Sequence, residues 1–140
     1  MTSIFDDKRD DFLGVPVDAL TSDEALELVT ELARDAEPSH VLFLNVDVMV
    51  KADKNPTLKD AIAHCDLSLM DGKPPLKVAQ KRGIPLPEKV SGSDFVPAVC
   101  AMAEREGFSV FILGGKDGVP EVARDNLVAE HPGLKVVGVY

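Results

Sequence analysis

The chain is predicted to be an α/β protein with a doubly wound, mostly parallel, Rossmann-like sheet and helices on both of its faces. Short apolar runs of strand length recur at residues 40–45, 67–70, 108–113 and 135–140. Segments with helical spacing separate them. The runs are apolar at successive positions, as expected for strands covered on both faces rather than open to water on one. A closed barrel would need about eight such units and about 250 residues. This chain has 140.

The elements follow in order. Residues 1–11 are polar and mostly acidic and read as a flexible N-terminal arm, with a single α/β domain expected over 12–140. Phe12 to Val17 is a short β run, which Pro16 confines to a sheet edge. Thr21-Ser22-Asp23-Glu24 fits a capping box, in which hydroxyl and carboxylate satisfy backbone N–H groups at the helix start. Ala25, Leu28, Val29, Leu32, Ala33 and Ala36 continue on one stripe until Pro38. The run 40–45 ends on Asn45. A short helix through Met49 and Val50 should follow, broken by Asn55-Pro56, with Thr57 capping the next helix. Leu58, Ala61, Ile62 and Cys65 form that helix's buried stripe. The run 67–70 leads to Asp71-Gly72. Pro74-Pro75 open a helix through Gln80, since proline is tolerated in a first turn, and Gly83 stops it. An extended, proline-rich connector over 84–90 reaches Gly92-Ser93-Asp94. A helix to Gly107 starts there, with Pro97 expected in its first turn. The run 108–113 ends on Gly114-Gly115, a helix covers 119–130, and Pro132-Gly133 separates it from a last strand at 135–140.

Composition narrows the function. The formal charge is −9, with 5% aromatic residues and no Trp. Nucleic-acid binding draws on Lys and Arg and on stacking aromatics, so no nucleic-acid partner is expected. The same charge disfavours anionic lipid headgroups; its simplest role is solubility. Cys65 and Cys100 lie outside any ligand or redox spacing and read as buried apolar side chains without a disulfide. No signal-peptide pattern opens the chain. No apolar run approaches the roughly 20 residues of a membrane span.

The residues able to carry chemistry cluster at strand ends, where open α/β sheets bind ligands. Asp71 follows an apolar strand and precedes Gly72, so it is either a general base at the rim or an ordinary Asp-Gly turn. Asn45, at another strand end, could hold a ligand through both donor and acceptor or simply make a turn. Lys89, taken by itself, reads as a solvated surface lysine. Gly92 to Asp94 present N–H groups at a helix start, suited to an anion or to an N-cap by Ser93. Gly114 and Gly115 follow a strong strand and would let a nucleotide approach the backbone, without forming a dinucleotide or Walker fingerprint. His40, His64 and His131 are isolated, no Asp-x-Asp element occurs, and neither a metal nor another cofactor is expected.

The stretch from Leu67 through Asp71-Gly72 to Pro75, followed by Pro85-Leu86-Pro87-Glu88-Lys89-Val90-Ser91-Gly92-Ser93-Asp94, resembles the bacterial WecG/TagA/CpsF glycosyltransferases. The resemblance extends over roughly 12–140. It implies transfer of an N-acetylhexosamine or hexose from a UDP-sugar donor to a polyprenyl-diphosphate-linked sugar acceptor, in polysaccharide or wall-polymer synthesis. It implies inversion by direct displacement, with Asp71 as base and no obligatory metal. Asn45, Gly72, Lys89, Gly92, Asp94, Gly114 and Gly115 would then contact substrates. The implied location is cytoplasmic, at the inner face of the cell membrane. Family members continue beyond the position of Tyr140, so a missing C-terminal unit is expected, and with it any peripheral membrane contact. An unfinished sheet edge at 135–140 would invite homo-oligomers. Two positions depart from the family pattern. Phe43 stands where some members have threonine, and Lys89 stands where the motif has arginine, which keeps the charge and loses the bidentate fork. A truncated or non-catalytic nucleotide-sugar-binding domain is therefore the alternative. A receiver-like regulatory domain fits less well, because Asp71 alone occupies a suitable acidic position.

Overall fold

The computed structural model describes residues 6–140. The chain divides into two compact units, one ending at Gly92 and one spanning Ser93–Tyr140, where the sequence suggested a single domain from residue 12. The class is α/β, as the alternation predicts. Among the described residues the strands form three two-stranded ladders, rather than the one continuous, doubly wound sheet expected. Two ladders are parallel and one is antiparallel.

In the first unit, a 3-10 turn at Asp6–Lys8 enters β1 (Arg9–Phe12), which pairs antiparallel with β2 (Val15–Asp18). Of the arm expected over 1–11, residues 1–5 lie outside the described residues, and 9–11 are strand. The reading of these last residues as loose is thus corrected. They escaped notice because Arg9, Asp10 and Asp11 carry no apolar alternation, and charge anchors them instead. Arg9 donates from Nε to Asp18 Oδ1 at 2.8 Å and from Nη2 to Asp18 Oδ2 at 2.9 Å. The single β run expected from Phe12 to Val17 is likewise a hairpin. Its two turn residues, Leu13 and Gly14, have φ of 54° and 86°. Positive φ at both central positions matches a type I′ turn, whose twist suits the flanking strands.

The helix α1 (Ser22–Arg34) begins with the predicted capping box. Glu24 N–H donates to Thr21 Oγ1 at 3.2 Å, and Thr21 N–H donates to Glu24 Oε2 at 2.9 Å. Next come β3 (Val41–Leu44), α2 (Val46–Lys54), α3 (Pro56–Ala63), β4 (Leu67–Met70) and α4 (Lys73–Lys81). The cap of α3 is Asn55, not Thr57: proline's fixed φ suits the first helical position, so the residue before Pro56 becomes the cap, and its Oδ1 accepts from Leu58 N–H at 3.1 Å. β3 and β4 pair in parallel from Val41 opposite Leu67 to Leu44 opposite Met70. β2 lies against β4. The link is made by a side chain, with Asp18 Oδ2 accepting from Ser68 N–H at 2.7 Å. Every residue of β4 is buried, and the core gathers Phe12, Val17, Leu44, Ile62, Met70 and Leu86. The connector 84–90 is extended, as predicted. It buries Ile84, Leu86 and Val90, and Val90 N–H donates to Met70 O at 2.7 Å.

The second unit carries most of α5 (Gly92–Glu106), then β5 (Ser109–Ile112), α6 (Val119–Glu130) and β6 (Lys135–Val139). β5 and β6 pair in parallel, with an irregularity between Val110 and Phe111. Cys100, Ala103 and Leu134 form a small core, with Phe108, Val110 and Leu127 against it. Pro97 lies inside α5, past the first turn where it was expected. The helix starts earlier than the proline suggested, and the missing N–H costs it one internal hydrogen bond.

Both cysteines are free and buried. Burial pushes both thiols above their usual range, in Cys65 against the opposing pull of the Arg9 guanidinium. A raised thiol pKa means that the folded chain resists thiolate formation, so this contribution is present at neutral pH and is lost as pH rises above the ordinary thiol range. At pH 8, both thiols should react with a disulfide reagent on the order of 100-fold more slowly than in denaturant. Rapid labelling of the native chain would contradict the burial.

Candidate active site at the ends of two parallel strands

The register of β3 and β4 sets the site. Because Leu44 lies opposite Met70, the next residue on each strand, Asn45 and Asp71, emerges at the same C-terminal rim. Asp71 N–H donates to Leu44 O at 2.9 Å and extends the alignment past the last strand pair. From that rim Asn45 enters α2, and Asp71-Gly72 enters α4.

Asn45 is the N-cap of α2, with Oδ1 accepting from Val48 N–H at 2.8 Å. Cap and rim position are therefore combined in one residue. The cap uses the carbonyl oxygen and leaves the Nδ2 hydrogens as donors to a ligand. Asn45→Ser should keep a capping oxygen and hold stability near that of the parent, whereas Asn45→Ala should lose about 1 kcal/mol of stability. Thermal melts of the pair check the cap.

Gly72 has φ of 109° and caps α4 without a side chain. A residue with Cβ is strained there, and its Cβ would also meet the Pro75 ring at 3.4 Å. Gly72 thus turns the chain sharply behind Asp71; its role here is conformational. The connector closes the other side. After Val90 bonds to Met70, Gly92 N–H reaches Asp71 Oδ2 at 3.4 Å, a long contact. A Cβ on Gly92 would stand 3.5 Å from the Phe43 ring. Asp71, Gly92 and Phe43 therefore converge. The anion next to this helix start is the side chain of Asp71 itself, a juxtaposition that sequence spacing could not reveal. Ser93 is the second residue of α5 and not its N-cap. Lys89, half-buried, adjoins Val90 in the same connector.

The remaining predicted contacts belong to the second unit. Asp94 is exposed in the first turn of α5. Gly114 N–H donates to Tyr140 O at 2.6 Å, so this donor is committed to the end of the β5–β6 ladder. Gly115 is exposed on the loop to α6. Among the described residues, no group of three or more His, Cys, Asp or Glu side chains is placed to hold a metal ion.

Sequence reasoning treated Phe43 only as a missing hydroxyl. Its ring is in fact the surface on which Gly92 rests. Gly92 itself is the available signal, since glycine at a helix start permits such close approach. The Arg9–Asp18 clamp was also missed, because no local pattern marks a pair that also reaches the carbonyls of Cys65 at 3.0 Å and Asp66 at 3.1 Å.

An acid and an amide at the ends of adjacent parallel strands, with a helix start set against the acid, form the kind of rim at which open α/β sheets bind ligands, outside the carboxyl ends of the strands. The model of the WecG/TagA/CpsF glycosyl transferase family matches residues 11–140, and the chain belongs to that family. Membership implies a glycosyltransferase of cell-wall polymer synthesis, with a nucleotide-sugar donor and a lipid-linked acceptor.

Proposed function

We propose that this chain transfers an N-acetylhexosamine or hexose from a UDP-sugar to a polyprenyl-diphosphate-linked sugar acceptor, with inversion at the anomeric carbon. The observation that carries this reading is the placement of Asp71 at the end of β4, beside Asn45 and against Gly92 N–H. The acceptor hydroxyl oxygen forms a bond to the anomeric carbon as the bond from that carbon to the UDP oxygen breaks. UDP leaves with the bonding electrons, and the hydroxyl proton passes to the Asp71 carboxylate. The Nδ2 hydrogens of Asn45 orient a substrate. Lys89 offsets the charge that develops on the diphosphate. Within the second unit, Asp94, Gly114 and Gly115 are taken as candidate donor contacts, Gly114 through its Cα face because its N–H is engaged. A doubly wound sheet is part of this reading; the parallel pairing of β3 with β4, each followed by a helix, supports it. The setting is the cytoplasmic face of the cell membrane, where a lipid-linked acceptor is presented.

A second reading is a nucleotide-sugar-binding domain without catalysis. The Phe43 ring, in place of a threonine hydroxyl, and the committed Gly114 N–H favour it. Calorimetric titration with UDP, paired with an assay of sugar transfer to a synthetic prenyl-diphosphate-linked sugar, decides among the outcomes. It should be run on the 140-residue chain and on any longer natural form. Binding with transfer is the expected result. Binding without transfer in either form selects the second reading, and no UDP binding in either form removes both.

A further inference from the structure

The first unit contains an apolar groove of about 400 Å³ that the chemistry above does not use. It lies between α2 and α4, both of which start at the site. Val46, the first groove residue of α2, directly follows Asn45, and Pro74 and Pro75 closely follow Asp71-Gly72. Along α2, Val46, Met49, Val50 and Asp53 line the groove at helical spacing, which amounts to about 10 Å of length. Val78 of α4 and the β1–β2 hairpin supply the other walls. Asp53 and Lys59 are the charged residues in the lining.

Two features mark the groove as a binding surface rather than a packing fault. Leu13, Val46, Val50 and Val78 are 55%, 52%, 51% and 44% exposed, and all four line it. They come from three separate elements, so their convergence is a product of the fold. Leu13 also holds φ of 54°. The first central position of a type I′ turn favours Asn, Asp or Gly, and leucine is strained there. Such strain is characteristic of functional positions, and here its effect is to present an apolar side chain to the groove.

We propose that this groove holds the first isoprene units of the acceptor's lipid, while its sugar hydroxyl lies at Asp71. The inference rests on the lipid-linked acceptor of the proposed function. The groove opens from the rim at which that acceptor must react. Its lining is apolar, as a hydrocarbon chain requires. The net charge of −9 gives the chain no general attraction to an anionic bilayer.

The test is calorimetric titration of the chain with farnesyl monophosphate and dimethylallyl monophosphate, with UDP titrated separately. Farnesyl monophosphate should bind at least tenfold more tightly than the five-carbon compound. Val50→Glu should weaken farnesyl binding about tenfold or more and leave UDP affinity unchanged. Leu13→Asn should also weaken farnesyl binding while raising the melting temperature by about 3 °C, since asparagine relieves the turn. That combination excludes general damage to the fold. Equal affinity for the two prenyl phosphates, or no effect of Val50→Glu, overturns the proposal. So does a dimer that Val50→Glu dissociates, because a second copy would then be the occupant. If UDP binds and farnesyl monophosphate does not, the lipid groove fails and the transferase reading stands. The reverse result leaves the groove and removes the donor site.

Discussion

Asp71→Asn should reduce sugar transfer by about 10²- to 10⁴-fold, the range for removing a general base, with UDP affinity kept within about twofold. The substitution preserves the size of the side chain and its capacity to accept from Gly92 N–H, now at 3.4 Å. The backbone bond from Asp71 N–H to Leu44 O does not involve the side chain. The shape of the rim should therefore survive, and only the ability to take a proton is lost. The kinetic signature is a fall in kcat with little change in KM for the donor, as for a group that acts in the transition state. A parallel loss of UDP binding would assign Asp71 to donor binding instead. Transfer at the parent rate would remove it from the chemistry altogether.

Asp18→Ala should be the most destabilising polar substitution, by about 3 kcal/mol or more. Asp18 is 7% exposed and serves two elements at once. It takes the two Arg9 hydrogen bonds, at 2.8 and 2.9 Å, and that of Ser68 N–H at 2.7 Å. Truncation leaves the Arg9 guanidinium, whose side chain is 33% exposed, without its carboxylate, and a buried N–H without an acceptor. The guanidinium stays charged in the native chain at any accessible pH, because its hydrogen bonds to Asp18 push it above even the usual arginine range. Urea unfolding of Asp18→Ala, Arg9→Ala and the double variant should show the double costing clearly less than the sum, as for two halves of one interaction. Additive losses would show the pair to be incidental. The clamp grips the carbonyls of Cys65 and Asp66, which precede β4, whereas Asp71 follows it. The folded fraction of each variant should therefore retain the UDP affinity of the parent.

The contrast between these two residues separates what could be read in advance from what could not. Asp71 was legible because its signal is local: a buried apolar strand, then Asp-Gly, then prolines that open a helix. The capping box at Thr21, the strand at Leu67–Met70 and the helix at Val119–Glu130 were legible for the same reason. Each depends on backbone preferences and periodicity within a few residues. Arg9 and Asp18 gave no such signal. Their neighbours in sequence are polar or ordinary, and their partners come from residues 65–68. The same distance in sequence hid the approach of Gly92 to Asp71 and Phe43, and the gathering of Leu13, Val50 and Val78 around one groove.

The amino-acid sequence by itself determined the α/β class, most helix and strand positions, the family, and the identity of the acid and amide at the strand ends. Each of these follows from short-range patterning or from motif residues close together in the chain. Tertiary structure alone decided that β1 and β2 form a hairpin locked by charge, that Asn45 is both cap and rim residue, that the helix start at Gly92 meets the Asp71 carboxylate, and that Gly114 spends its N–H on Tyr140. It also decided that exposed apolar residues from separate elements share one groove. The physical reason is that ladder register, buried ion pairs and cavities are set by which distant segments pack together, and that choice depends on the free energy of the whole arrangement rather than on the preferences of any one segment.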